Sequence, residues 1–195
     1  RGSRSRPSSK RPRSPRARET RACLLNLDGP VHFIQGNGDR AVLEQMTGTQ
    51  TSPLPEQARE PVRHSASELQ PEHGPLLASW PATLRREIAG LGGVLFCHAT
   101  PRNDTEIFTR LTPDDRLLPV FDAVDESLVV CGHTHMQFDR TIGRTRVVNA
   151  GSVGMPFGEP GAYWLELGPD VQLRRTSYDL MHAAERVRAT TYPRA

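Results

Sequence analysis

Apolar residues in this chain fall in short runs rather than long stripes, and two runs stand out. Gly93-Val-Leu-Phe-Cys97 is followed by His98, and Leu128-Val-Val-Cys131 by Gly132-His133-Thr134-His135. A run of four to eight apolar residues with a glycine or polar stop reads as a strand buried on both faces. Val31-His-Phe-Ile-Gln35 predicts a further strand, running into Gly36-Asn37-Gly38-Asp39. Residues 137–141 and 146–149 read as strands flanking a turn at Gly143. Residues 162–167 and 171–178 read as a hairpin across Gly168-Pro169-Asp170. Helical spacing covers 18–27, ended by Asp28-Gly29-Pro30, and then 41–46 and 113–124. A last helix is capped by Asp179, with Leu180, Ala183, Ala184 and Val187 on one face. Residues 47–63, rich in Thr, Pro and Gln, read as a long loop. Residues 68–88, broken by Pro71, Pro75 and Pro81, predict two short helices. Helices alternate with strands first and the second half is β-rich, so the fold mixes helices and sheet.

Charge divides the chain. Eight of its basic residues and no acidic one lie in residues 1–18, so an overall charge of +3 leaves −5 on residues 19–195. Residues 1–17 are rich in Arg, Ser and Pro and carry no hydrophobic period, which predicts a disordered basic tail ahead of one domain over 18–195. The acidic body argues against a nucleic-acid surface except through that tail. Cys23, Cys97 and Cys131 form no CxxC pair, and two of them sit in apolar runs, as expected of reduced cysteines in a cytoplasmic protein. No apolar run approaches 18 residues and no apolar segment follows the basic start, which predicts neither a membrane span nor a secretory signal. The chain does not open with Met, so its native start is expected upstream.

The chemistry lies at the ends of the strands. Asn37 and Asp39, His98, and His133 with His135 each follow a predicted strand. In open α/β sheets, ligands gather outside the carboxyl ends of strands. Alternate side chains of an extended segment point the same way, so His133 and His135 can face one point. Imidazoles so placed suit Zn, Mn, Fe or Ni.

At this point the chain resembles the calcineurin-like metallophosphoesterases, in their small bacterial phosphodiesterase branch. The likeness is carried, in the family's order, by Gly36-Asn-Gly-Asp39, Phe96-Cys-His-Ala-Thr-Pro-Arg102, Gly132-His-Thr-His135 and Asn149-Ala-Gly-Ser-Val-Gly154, and spans roughly residues 18–192. It implies an α+β fold, a two-sheet β-sandwich flanked by helices in four layers, with two divalent metals (Mn, Fe, Zn or Ni) between the sheets. It implies Asn37, His98 and His133 as ligands of one metal and His135 as a ligand of the other. Asp39 stands where relatives carry the residue that protonates the leaving oxygen, which with His98 makes the catalytic pair. Asn37 and Arg102 would meet the phosphate, and residues 149–154 would wall the pocket with backbone amides. The activity implied is hydrolysis of a small phosphomonoester or phosphodiester by metal-activated water, two ions clamping the attacking and leaving oxygens.

Two motifs of that family do not occur in this chain: an opening Asp-x-His and a Gly-Asp-x-x-x-x-Gly loop whose aspartate bridges the metals. Two doubly charged cations about 3.5 Å apart repel by roughly 19 kcal/mol at an effective dielectric of about 20, and a bridging carboxylate normally offsets much of that. The expectation is therefore a domain that lacks its first strands and binds at most one metal firmly. Its activity would be impaired, or it would serve as an inactive binding module on the same fold. A nucleic-acid role would rest on the basic tail alone.

Overall fold

The computed structural model describes residues 23–24, 26–49, 54–190 and 192. The basic tail and most of the helix expected over 18–27 lie outside these residues, where only Cys23 and Leu24 show its helical turn. Three parallel strands form the centre: β2 (Gly92–Cys97), β3 (Leu128–Cys131) and β5 (Thr145–Asn149). Antiparallel edges flank them, β1 (Thr83–Ile88) beside β2 and β4 (Phe138–Ile142) beside β5. Among the described residues this makes a five-stranded sheet of order β1-β2-β3-β5-β4. Every residue of β3 is buried, as a continuous apolar run in a central parallel strand should be.

The period of two sorts the strand side chains onto two faces. Leu95, Cys97, Val129, Cys131 and Val147 turn to one side and meet α4 (Asp114–Phe121) through Leu117, Val120 and Phe121. Phe108 seals that layer, its ring edge-on to both Phe121 and Phe138. Val94, Leu128, Val130 and Val148 turn the other way and meet Leu165, Leu167 and Val171. Those belong to the antiparallel hairpin of β6 (Ala162–Leu167) and β7 (Val171–Thr176), the second sheet. The architecture is thus the expected α+β one, a multi-stranded sheet flanked by helices with a small sheet packed on it. A closing helix, α5 (Leu180–Arg188), is capped by the Asp179 carboxylate, which accepts the His182 N–H.

Four expectations are corrected. Residues 31–35 form no strand: they run as irregular chain tied by the Gln35 N–H to the Pro81 carbonyl. The helix expected over 41–46 begins at Asn37 as α1 (Asn37–Thr47), so Asn37 and Asp39 ride on a helix rather than a strand end. The loop expected over 47–63 contains the start of α2 (Glu56–Glu68), which accommodates Pro61 internally and buries Val62. Residues 68–88 hold one short helix, α3 (His73–Ala78), and then the edge strand β1. Thr83-Leu-Arg-Arg-Glu-Ile88 is polar because an edge strand need bury only part of its surface.

Candidate metal centre

The site starts from the ladder. The Gly132 N–H donates to the His98 carbonyl at 2.8 Å and the Ala150 N–H to the Cys131 carbonyl at 2.9 Å. The parallel pairing thus continues one step beyond the strands and brings the carboxyl ends of β2, β3 and β5 level. From these ends His98 and His133 converge, with His98 Nε2 3.1 Å from His133 Nδ1. His133 and His135 both sit in the left-handed region, at φ 63° and 58°, a conformation that costs an L-residue roughly 1–2 kcal/mol. Paired strain of this kind at the end of a buried strand is typical of a functional loop.

Asn149, fully buried at the end of β5, braces this loop. Its amide donates to the Gly132 carbonyl and to Thr134 Oγ1, and its Oδ1 accepts the Gly151 N–H. Asn149 therefore supports the histidine loop from behind, and residues 149–154 are not among those lining the cavity.

On the other side, Gly36 precedes α1 and lies against the His98 imidazole so closely that a Cβ there would stand 2.6 Å from His98 Nδ1. The Gly36 N–H donates to Asp39 Oδ2 at 2.9 Å, closing the first turn and setting Asn37 beside the histidines. Asn37, Asp39, His98, His133 and His135 all line one cavity of about 990 Å³. Arg102 lines a neighbouring hollow of about 230 Å³ together with His98 and Arg40. It is exposed and its guanidinium forms a two-pronged pair with Glu106. Arg40 in turn holds Asp104 through two bonds of 2.7 and 3.0 Å, tying α1 to the loop after β2.

Burial holds the His98 imidazole below its usual pKa, with repulsion from His133 adding to it. Burial does the same to His133, opposed by a hydrogen bond to the Thr105 backbone. Both rings are therefore neutral near pH 7, the form that binds metals. Two nitrogens bound to one ion at about 2.1 Å stand about 3.0–3.4 Å apart at octahedral or tetrahedral angles, and the observed 3.1 Å falls in that range. The residues thus fit a single divalent ion held by His98 and His133, with Asn37 lining the same cavity. Among the described residues, no three His, Cys, Asp or Glu side chains are grouped to hold a metal, and the carboxylates that line the cavity with His135 are those of Asp39 and Glu68.

Sequence reasoning found the histidines but not Gly36, whose importance lies in a contact between segments 62 residues apart. It also missed the brace role of Asn149. The signal for Asn149 was present: it is a polar residue closing an apolar strand, just as His98 is. Cys97 and Cys131 are free thiols beneath the site, the first pushed up to about 12 and the second well above its ordinary value by burial.

Relatives share this arrangement of elements. The structure is similar to a hypothetical protein from Pyrococcus horikoshii, with a TM-score of 0.77 at 19% identity over 92% of this chain and 77% of that one. It is also similar to a metallophosphoesterase from Sphaerobacter thermophilus, with a TM-score of 0.64 at 22% identity over 93% and 80%. At these identities the likeness is one of fold. No curated protein matches the sequence. The family model of the calcineurin-like phosphoesterase superfamily domain matches residues 16–167, most of the chain, and takes in every residue from Gly36 to Asn149 described above. The chain belongs to the calcineurin-like phosphoesterase superfamily.

Proposed function

We propose that this domain hydrolyses a small phosphomonoester or phosphodiester with one divalent cation, of Mn, Fe, Zn or Ni type, held by His98, His133 and Asn37. The observation that carries the reading is the 3.1 Å approach of His98 Nε2 to His133 Nδ1, in a cavity that also holds Asn37, Asp39 and His135. When bound, the cation supplies a Lewis acid for a phosphoryl oxygen and lowers the pKa of water. The protein's own part is positional. Thr105 and Gly36 fix the two rings, and burial keeps them unprotonated. Asp39, which would stand by the leaving oxygen, has one oxygen committed to the Gly36 N–H and so also sets the turn that presents Asn37. His135 faces the same space. Arg102 would reach a substrate phosphate only after leaving Glu106. No helix among the described residues is long and apolar enough to cross a membrane, and a cytoplasmic setting agrees with the free thiols. The test is hydrolysis of bis(p-nitrophenyl) phosphate and p-nitrophenyl phosphate with added Mn²⁺, together with calorimetric titration of the ion. One tight site and turnover lost in His98→Ala support the reading, and absence of both overturns it.

A second reading is favoured by one observation: among the described residues no three His, Cys, Asp or Glu side chains are grouped to hold a metal. The domain would then keep the fold and a single-metal site as a binding module without turnover. One tight calorimetric site with no hydrolysis of either ester would select it.

A further inference from the structure

The cavity beside the histidines is lined by two unlike sets of residues. One is polar: Asn37, Asp39 and Glu68 with five histidines, His64, His73, His98, His133 and His135. The other is apolar: Phe33, Val42, Val62, Leu69, Leu76 and Trp80, drawn from the approach to α1, from α1 itself, and from α2, α3 and their connections. Phe33 and Trp80 stack with ring centroids 4.8 Å apart and planes 13° from parallel, which holds the two aromatic side chains of this apolar set against each other. The charged side chains lining the cavity besides its histidines are Asp39 and Glu68, and among the described residues no Lys or Arg lines it. Nearby, Arg40 is bound to Asp104 and Arg102 to Glu106, on the neighbouring hollow.

This composition discriminates between kinds of ester. A nucleoside polyphosphate or a sugar phosphate requires cations or hydrogen-bond partners along its length, because each polar group taken from water without a partner costs affinity. Here a second phosphate would meet the Asp39 and Glu68 carboxylates and no Lys or Arg, and besides the histidines only the hydroxyls of Ser65, Thr190 and Tyr192 stand among the described lining residues. An apolar group, by contrast, would exchange water for aromatic and aliphatic wall. The volume, about 990 Å³, lies at the upper end of ordinary ligand sites.

We propose that this cavity receives the organic part of the phosphoester and that this part is apolar, an aryl group or a medium alkyl chain, with the phosphate at His98 and His133. The proposal rests on the phosphoesterase reading above and adds the substrate class to it.

Binding tests it without turnover. The chain has two tryptophans, Trp80 in the cavity wall and Trp164 on β6, so in a Trp164→Phe background the fluorescence reports the cavity. With Mn²⁺ present, the protein is titrated with inorganic phosphate and with methyl, butyl, octyl and phenyl phosphate. Ribose 5-phosphate serves as a polar probe and octanol as a probe without phosphate. Burial is worth about fourfold in affinity per methylene. Octyl phosphate should therefore bind at least about 30-fold more tightly than methyl phosphate and shift Trp80 emission to the blue. Phenyl against butyl phosphate tells an aryl from an alkyl preference. Leu76→Gln and Ser65→Phe, the latter at an exposed position on the lining, should each bring octyl phosphate back toward the affinity of inorganic phosphate. A flat series, or ribose 5-phosphate binding more tightly than octyl phosphate, overturns the proposal. If phosphate affinity still depends on His98 in that case, the phosphoesterase reading stands alone. Octanol binding as tightly as octyl phosphate, with His98→Ala leaving both unchanged, overturns the phosphoesterase reading and the ester assignment with it.

Discussion

The two halves of the site are secured in different ways. His98 and His133 leave the ends of strands whose last residues, Cys97 and Cys131, are buried, and the sheet ladder itself runs on into them. Asn37 and Asp39 ride on α1, where Ala41 is the buried residue. What joins that helix to the histidines is the Gly36–His98 contact and the Arg40–Asp104 pair. The strand-borne half is fixed by the core, whereas the helix-borne half is placed by a few local contacts. Substitutions at those contacts should therefore change the site more than they change the fold.

The sharpest break is Gly36→Ala. Gly36 has φ −100° and ψ 171°, open to any residue, so the obstacle is purely the His98 ring 2.6 Å from the new methyl group. Overpacking of this kind costs about 1–3 kcal/mol. Displacing a ligand from its supports lowers metal affinity by about 10–100-fold. Its control lies two residues on: a Cβ at Gly38 meets nothing within 4 Å, so Gly38→Ala should raise stability by about 0.5–1 kcal/mol through helix propensity. Urea melts and Mn²⁺ calorimetry on the pair check both signs.

On the strand-borne half, Asn149→Ala strips the Gly132 carbonyl, Thr134 and the Gly151 N–H of a buried partner at once. Orphaned groups of this kind cost about 1–3 kcal/mol. Stability and metal affinity should fall together here, whereas Gly36→Ala should cost proportionately more metal affinity than stability. Equal ratios of the two losses in both variants would erase the distinction between the halves.

The link between the halves is smaller. Arg40 holds the Asp104 carboxyl below the usual carboxylate range, chiefly by hydrogen bond and then by charge, and the pair is partly exposed. Arg40→Met or Asp104→Asn should cost about 0.5–1 kcal/mol. A depressed carboxylate contributes stability that is fully present above its unfolded-state pKa and is lost as pH falls through its folded-state value. The difference in urea midpoint between wild type and Asp104→Asn should thus be constant at neutral pH and close in acid. A gap that widens in acid would show that Asp104 is not the group responsible.

Legibility in the sequence followed the same division. Residues 128–131 and 93–98 could be read as strands ending in ligands because a doubly buried strand must be apolar throughout, and a histidine after it has few other reasons to be there. The helix-borne half was obscure. In 56–69 the helical spacing of Ala58, Val62, Ala66 and Leu69 was present but hidden by Pro61 and by the Thr, Pro and Gln before it. Residues 31–35 had the alternation of a strand, yet a strand needs a free edge to pair with. That segment's backbone is instead tied by the bond from the Gln35 N–H to the Pro81 carbonyl. Thr83–Ile88 was too polar to show itself as an edge. Contacts between distant segments, such as Gly36 on His98, leave no periodic trace.

The least effect expected is, like that of Gly38→Ala, a stabilising one. His135 is held at φ 58°, half-buried on the cavity wall. Glycine adopts that conformation without strain, while its freer unfolded chain takes back part of the gain. His135→Gly should therefore stabilise the fold by about 0.5 kcal/mol even as it removes an imidazole from the site. His133→Gly should not, although its φ is 63°, because its ring meets both His98 and the Thr105 backbone. Urea midpoints of the two variants decide the matter. A loss at His135 as large as that at His133 would mean that the His135 ring is held by contacts of its own, and the strain would then be a by-product of packing rather than a cost carried for function.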